Sequence, residues 1–286
     1  MTDESTATIH LVATDLDGTI IRHDGTVSPR VVAAIAAVEA LGVPVVFVTG
    51  RPPRWMSQVV GLTALHGVAV CANGALVYDL HQDVVLERFE LEPDLALETV
   101  RRLRAVMPAV AFAIETVDGF FHEAAYVPRW AGLETIEYPD AEAMLTGPVA
   151  KLLVRDETSS GDAMLALAQP AIGDLVTVTH SNVKDCLLEV SAPGVTKATT
   201  LARVAAEHGV DASAVLAFGD QPNDIDMLAW AGNGYAMGGG HADVLAVVTT
   251  HAASVEDDGV AQVIEQFLAA GAIRSPDASD RGTRSG

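Results

Sequence analysis

Lysine is almost missing from this chain: Lys151, Lys184 and Lys197 are the only three, and arginine fills the other basic positions. Lys and Arg together number 17 against 38 Asp and Glu, a formal net charge of −21. A surface so short of positive charge argues against a nucleic-acid footprint and against attachment to anionic membranes, so an anionic substrate has to be drawn in locally. Cysteine is as scarce. Cys71 and Cys186 lie in apolar surroundings without CxxC or Cys/His spacing, so neither a disulfide framework nor a zinc site is indicated. Long unbroken apolar runs are lacking too: the longest uncharged stretch, Trp55 to Tyr78, is interrupted by Gly61, Gly67, Asn73 and Gly74, unlike a spanning helix. Met1 to Thr8 is polar and acidic, unlike a signal peptide, and a cytoplasmic location is expected.

What the chain does have is apolar residue: half of its 286 positions are hydrophobic, enough for one large or two ordinary domains. The stretch Ile9 to Thr19 organises the rest. An apolar run (Ile9, Leu11, Val12, Ala13) stops at Asp15-Leu16-Asp17-Gly18-Thr19, which reads as a buried strand delivering two carboxylates to its C-terminal end. Side chains two apart on an extended segment point the same way, so Asp15 and Asp17 are expected to face a common space. At ~6 Å and an effective dielectric of ~20 they would repel by roughly 3 kcal/mol, which a cation or a shared proton must relieve. The ordinary alternative is an Asx-type turn, since Asp-Gly is a common turn dipeptide.

Ser28-Pro29 then caps a helix over Val31 to Leu41, Val43 to Val48 reads as a strand stopped at Thr49-Gly50-Arg51-Pro52, Pro52 opens a helix, and Gly67 to Ala72 is a third strand ending in Asn73-Gly74. Nearly all-apolar strands alternating with helices predict an α/β fold with a Rossmann-like parallel sheet, helices on both faces and ligands beyond the strand C-termini. From Gln82 the texture shifts to shorter, alternating strands, expected to form a largely antiparallel sheet with helices on one face. The predicted division is a core of residues 1–81 and 187–273, an inserted α+β unit over 82–186, and a tail, 274–286, without an apolar pattern. After the insertion the sequence predicts a helix over Thr196 to His208, strands at Ala214 to Phe218, Tyr235 to Met237 and Ala246 to Val248, and helices over Pro222 to Ala231 and Asp258 to Ala270.

The strand Ala214 to Phe218 runs into Gly219-Asp220-Gln221-Pro222-Asn223-Asp224. Asp224 alone is explained as a helix cap, but Asp220 is not. In a parallel sheet Asp220 approaches Asp15 and Asp17, and carboxylates converging in one cleft call for a divalent cation; oxygen-only ligands favour Mg²⁺. Other cation and nucleotide motifs fail. An EF-hand from Asp15 needs Gly and Glu where Ile20 and Thr26 stand, and there is neither a Walker loop nor a GxGxxG after the first strand. Lys197 opens a helix, where a positive charge opposes the macrodipole; pointed into the carboxylates it would offset their charge and bind a phosphate.

These clusters, Asp15-Leu16-Asp17-Gly18-Thr19, Thr49-Gly50-Arg51, Lys197, and Gly219-Asp220 with Asn223-Asp224, resemble in order and in strand-end placement the four signature motifs of the haloacid dehalogenase superfamily. The insertion, Asn73-Gly74-Ala75 and the closing Asp257-Asp258-Gly259-Val260-Ala261 are similar to its Cof-type phosphatases with a large α/β cap. The resemblance implies a phosphatase of small phosphorylated metabolites, such as sugar phosphates or phosphorylated cofactors, in which Asp15 is the nucleophile that forms an aspartyl-phosphate and Asp17 the general acid and base. It implies Mg²⁺ held by Asp15, the backbone carbonyl of Asp17, and Asp220, with Asp224 in or near its shell. Thr49, Lys197, Asn223 and the amides of Leu16 and Gly50 would hold the phosphoryl oxygens. One departure is Ala198 where relatives usually carry Gly. A phosphomutase would share every one of these residues, and a non-enzymatic aspartyl-phosphate receiver looks superficially alike. Cap candidates for reading the leaving group are Phe120, Phe121, His122, Tyr126 and Trp130, with Trp55 from the core; His23 reads as an exposed turn residue.

Overall fold

The computed structural model describes residues 7–63, 67–129, 134–181 and 186–276. The first part of the chain gives β1 (Leu11–Thr14), α1 (Pro29–Ala40), β2 (Val45–Val48), α2 (Met56–Thr63), β3 (Val68–Cys71), β4 (Leu76–Asp79) and β5 (Val84–Arg88). The middle gives α3 (Pro93–Val106), β6 (Ala111–Glu115), β7 (Phe120–Glu123), β8 (Thr135–Tyr138), α4 (Ala141–Met144), β9 (Lys151–Arg155), α5 (Gly161–Ile172), β10 (Thr177–Thr179) and β11 (Leu187–Ser191). The last part gives α6 (Lys197–Glu207), β12 (Val215–Gly219), α7 (Ile225–Trp230), β13 (Asn233–Gly238), α8 (Ala242–Val247), β14 (His251–Ser254) and α9 (Gly259–Ala269).

The larger sheet has eight strands in the order β14, β13, β12, β1, β2, β3, β4, β5. From β14 to β3 neighbours are parallel, and the period-two alternation of their side chains feeds two separate cores. Val12, Val45 and Phe47 pack on one face with α1, α2 and α9; Leu11, Ala13, Val46 and Val48 pack on the other with α6, α7 and α8. This is the doubly covered α/β sheet that the apolar runs predict. β1 lies in its middle, so the loop after it opens where parallel strands end together.

The second sheet has six strands in the order β10, β11, β9, β6, β7, β8, antiparallel except for the β7–β8 pair. α3, α4 and α5 pack on it, and their shared core runs from Leu91 to Ala192.

The structure corrects the expected outline in several places. β4 returns antiparallel to β3, because Asn73 (φ 58°) and Gly74 (φ 107°) reverse the chain in a step too tight for a crossover. Val84–Arg88 pairs with β4 in the first sheet and Leu187–Ser191 with β9 and β10 in the second, so the chain changes sheets after Arg88 and after Ser191, not at 82 and 186. A five-residue strand carries too little pattern to say which sheet it joins. The strand expected over Ala246 to Val248 is the end of α8 and the residue after it, with β14 following; a three-residue apolar run does not distinguish helix from strand. β8 and α4, four residues each, were too short to show a period. Among the described residues no helix is long and apolar enough to cross a membrane.

Candidate active site

β1 hands over to Asp15 in register with its neighbour, since the Asp15 N–H donates to the Phe218 carbonyl of β12 at 2.9 Å. The chain then folds back on itself: the Leu16 carbonyl accepts the N–H groups of Thr19, Ile20 and Ile21, and Gly18 takes φ +80°. A Cβ on Gly18 would stand 2.4 Å from Asp220 Oδ2, so glycine is what lets the two acid-bearing loops close on each other. The Leu16 side chain is in the core, which leaves only its backbone for a ligand.

Asp220 follows β12. Asp224, four residues on, accepts the N–H groups of Asp220 (3.0 Å) and Gln221 (2.9 Å) through Oδ2, the capping role its position suggests. Its Oδ1 accepts a bond of 2.6 Å from Lys197 Nζ, so it does more than cap. Lys197 is the first residue of α6, where Thr196 and Thr199 cap each other reciprocally through bonds of 3.1 and 3.0 Å. Its ammonium, wholly buried, also donates to Asp15 Oδ1 at 2.7 Å. Ligand oxygens of Asp15, Asp220 and Asp224 all lie within 4.8 Å of one another.

Three buried carboxylates face one ammonium, and the imbalance shows in their proton affinities. Burial pushes the Asp15 carboxyl well above its ordinary range; Lys197 pulls it back, while Asp224 and Asp220 push it further. Asp220 is pushed up to about 7, by burial first and then by Asp224. Burial works to strip the proton from Lys197, but Asp15 and Asp224 outweigh it and hold the lysine firmly protonated. A cluster of oxygen ligands with surplus negative charge, reluctant to ionise without a cation, fits a hard divalent ion of the Mg²⁺ type.

Asp17 stands apart. Its half-exposed side chain is gripped by Arg51, Nε to Oδ2 at 2.7 Å and Nη2 to Oδ1 at 2.6 Å. The carboxylates that press on Asp15 are therefore those of Asp224 and Asp220, where the sequence suggested its near neighbour. Thr49 is buried at the end of β2, and its hydroxyl oxygen accepts the Arg51 N–H at 3.0 Å. Asn223 donates to Asn73 Oδ1 at 3.1 Å, while its own Oδ1 is buried without a hydrogen-bond partner.

Asp15, Asp17, Thr49, Gly50 and Asn223 line one cavity of about 1020 Å³, at the large end of small-molecule sites. Its far wall comes from the second sheet, with Glu115, Phe120, Phe121, Lys151 and Glu189. Of the residues expected to read a leaving group, Trp55, Phe120 and Phe121 line the cavity. His122 and Tyr126 do not: His122 is buried against the Glu123 carbonyl and the Thr135 hydroxyl, and Tyr126 packs against Phe120 and under Arg155. Trp130 lies outside the described residues, and His23 is exposed beside Glu256.

Sequence reasoning missed a network that joins the two sheets. Lys151 of β9 donates to the Gly50 carbonyl at 2.8 Å and pairs with Glu189 of β11, whose other oxygen accepts from Asn73 at 3.1 Å. Arg54 reaches Glu115 across the same gap, and burial lowers its pKa to about 10. Lys151 is as rare a lysine as Lys197, but it opens a strand and not a helix, so its position did not mark it.

A family model of haloacid dehalogenase-like hydrolases matches residues 12–264, from β1 into α9. The chain belongs to that family. This haloacid dehalogenase-like hydrolase is 27% identical over 274 residues to the 5-amino-6-(5-phospho-D-ribitylamino)uracil phosphatase YitU of Bacillus subtilis, an alignment covering 91% of this chain and 97% of that protein. It is 27% identical over 271 residues to the pyridoxal phosphate phosphatase YbhA of Escherichia coli, covering 91% and 99%. Among solved structures it shares its fold with BT1666 of Bacteroides thetaiotaomicron, described among phosphatases of the superfamily, with a TM-score of 0.75, 22% identity, and 94% and 98% of the two chains covered.

Proposed function

We propose that this hydrolase is a Mg²⁺-dependent phosphatase of small phosphorylated metabolites that works through an aspartyl-phosphate on Asp15. The observation that carries the reading is Lys197, buried between Asp15 and Asp224 beside a cavity roofed by a second sheet. A carboxylate attacking a phosphate dianion needs the charge between them neutralised, and a divalent cation on Asp15, the Asp17 carbonyl, Asp220 and Asp224 supplies that neutralisation when bound. The chain's own residues do the rest. Asp15 forms a bond to phosphorus as the bond to the leaving oxygen breaks, and Asp17 gives that oxygen a proton. Asp17 then takes a proton from water, the water oxygen bonds phosphorus, and the Asp15–phosphorus bond breaks to release inorganic phosphate. Thr49, Asn223, Lys197 and the amides of Leu16 and Gly50 hold the phosphoryl oxygens as charge moves between them. In Asn223 the donor for such a ligand is Nδ2, which bonds Asn73 Oδ1 at 3.1 Å and would turn from it to a phosphoryl oxygen.

The second sheet, with the residues between Arg88 and Ala192, serves as the cap that excludes water and reads the leaving group through Phe120, Phe121, Glu115 and Trp55. The names of YitU and YbhA support phosphomonoesters of small heterocyclic metabolites as the class to assay first. The test is release of inorganic phosphate from p-nitrophenyl phosphate, pyridoxal phosphate and 5-amino-6-(5-phospho-D-ribitylamino)uracil, with and without Mg²⁺. Turnover should need the cation and fall by several orders of magnitude in Asp15→Asn; turnover unchanged in that variant overturns the reading.

A further inference from the structure

Far from the catalytic carboxylates in sequence and outside the cavity, two imidazoles and a carboxylate meet where the two sheets' units touch. Asp162 lies in the first turn of α5 and His180 just after β10, both in the second unit; His241 precedes α8 in the first. His180 Nε2 stands 2.9 Å and His241 Nε2 3.6 Å from the same oxygen, Asp162 Oδ1. The two rings meet nearly edge to face, with centroids 5.7 Å apart, and the three ligand atoms lie within 4.8 Å of one another.

We propose that Asp162, His180 and His241 form a second cation site, selective for Zn²⁺ or a similar imidazole-seeking transition metal, that ties the cap unit to the core. Around Zn²⁺ with bonds of about 2.0–2.2 Å, tetrahedral ligands stand about 3.3 Å apart, and the separations of 2.9 and 3.6 Å bracket that value. Two imidazole nitrogens and one carboxylate suit zinc and leave a fourth position for water; the oxygen-only set around Asp15 suits magnesium. The surroundings are built for ligation. His180 is 1% exposed, and its Nε2 is aimed at Asp162 Oδ1, the oxygen that His241 Nε2 also approaches. Asp243 lies behind His241, its N–H donating to Nδ1 at 3.2 Å and its Oδ2 3.8 Å from that nitrogen. Ligation through Nε2 would move the ring proton to Nδ1, which then exchanges the Asp243 N–H for the Asp243 carboxylate as its partner, the arrangement that orients metal-bound imidazoles. The His241 N–H donates to the Asp220 carbonyl at 2.7 Å, so the loop fixed by the metal is the one that backs the catalytic cluster. The sequence hid this site because its three ligands are scattered from 162 to 241 with no ligand spacing.

The experiment is equilibrium dialysis against Zn²⁺ with Mg²⁺ in large excess, followed by metal analysis, with the visible ligand-field spectrum of Co²⁺ as a second readout. The wild-type chain and Asp220→Asn should each retain one equivalent. His180→Gln, from the cap unit, and His241→Gln, from the core, should each bind at least tenfold more weakly and lose the tetrahedral Co²⁺ spectrum. Should either histidine variant unfold, Asp162→Asn, altered at a half-exposed side chain, carries the same expectation. No retention by the wild type, retention undiminished in the histidine variants, or loss of zinc in Asp220→Asn would each overturn the proposal.

Discussion

Arg51 occupies both carboxylate oxygens of Asp17, in a fork with distances of 2.7 and 2.6 Å. The pair sits at the cavity wall, half in solvent, so it positions a side chain more than it stabilises the fold. If Asp17 protonates the leaving oxygen, its loss should matter in proportion to how badly that oxygen needs a proton. Asp17→Asn is expected to slow alkyl phosphates by roughly 10²–10⁴-fold and p-nitrophenyl phosphate much less, because nitrophenolate leaves unaided. Arg51→Ala, which keeps the acid but frees it, should cost about tenfold in kcat through misplacement. Steady-state kinetics on the two substrates in each variant decide the point; equal losses on both would remove Asp17 from the acid role.

Much of this site could be read from the chain because its parts are local signals. Asp15 and Asp220 each end an apolar run, and Lys197 stood out as a rare lysine placed against the helix dipole. What the sequence could not carry is where side chains turn once distant loops meet. Asp17 turns to Arg51, and the carboxylates that load Asp15 arrive more than 200 residues later. The second sheet's contribution to the cavity was hidden for a related reason: Lys151, Glu189 and Glu115 sit in short strands whose pattern reports burial but not what they face. Sheet membership of Val84–Arg88 and Leu187–Ser191 was likewise undecidable, since a five-residue strand pairs with whichever edge tertiary packing offers.

Lys197 should be as important to folding as to chemistry. It is the one cation bonded to Asp15 and Asp224 among the described residues, and both carboxylates are buried. Removing one partner of a buried ion pair typically costs about 3–5 kcal/mol because the other is left uncompensated. Lys197→Met is expected to lose stability on that scale in urea unfolding without divalent cation, and Asp15→Asn/Lys197→Met to recover part of it. A double variant no more stable than Lys197→Met would show that the pair is not coupled.

Gly18 offers a steric test of the cation cluster that substitutes none of its carboxylates. Alanine there is strained by the positive φ, and its Cβ would meet Asp220 Oδ2 at 2.4 Å, so the carboxylate has to turn aside from the cluster. Gly18→Ala should raise the Mg²⁺ concentration needed for half-maximal turnover by tenfold or more while leaving the far-UV circular dichroism of the fold unchanged. Unaltered Mg²⁺ dependence would mean that Asp220 is not a ligand.

The raised pKa of Asp220 gives the cation a pH signature. In the folded chain this carboxyl titrates at about 7, against 3.8 for an ordinary aspartate, so between those values the folded state binds more protons than the unfolded one. Its contribution to stability is complete below about 4 and is lost as pH rises through about 7. A bound cation takes the proton's place and removes that loss. In EDTA the melting temperature should therefore fall between pH 5.5 and 8 by more than the same chain shows in excess Mg²⁺, and the Mg²⁺-induced increase should widen steadily across that range. Asp15, also pushed upward, acts in the same direction. Asp220→Asn, which cannot titrate, should flatten the dependence; a Mg²⁺-induced shift that is the same at pH 5.5 and 8 in the wild type would mean that protons and the cation do not compete for this carboxylate.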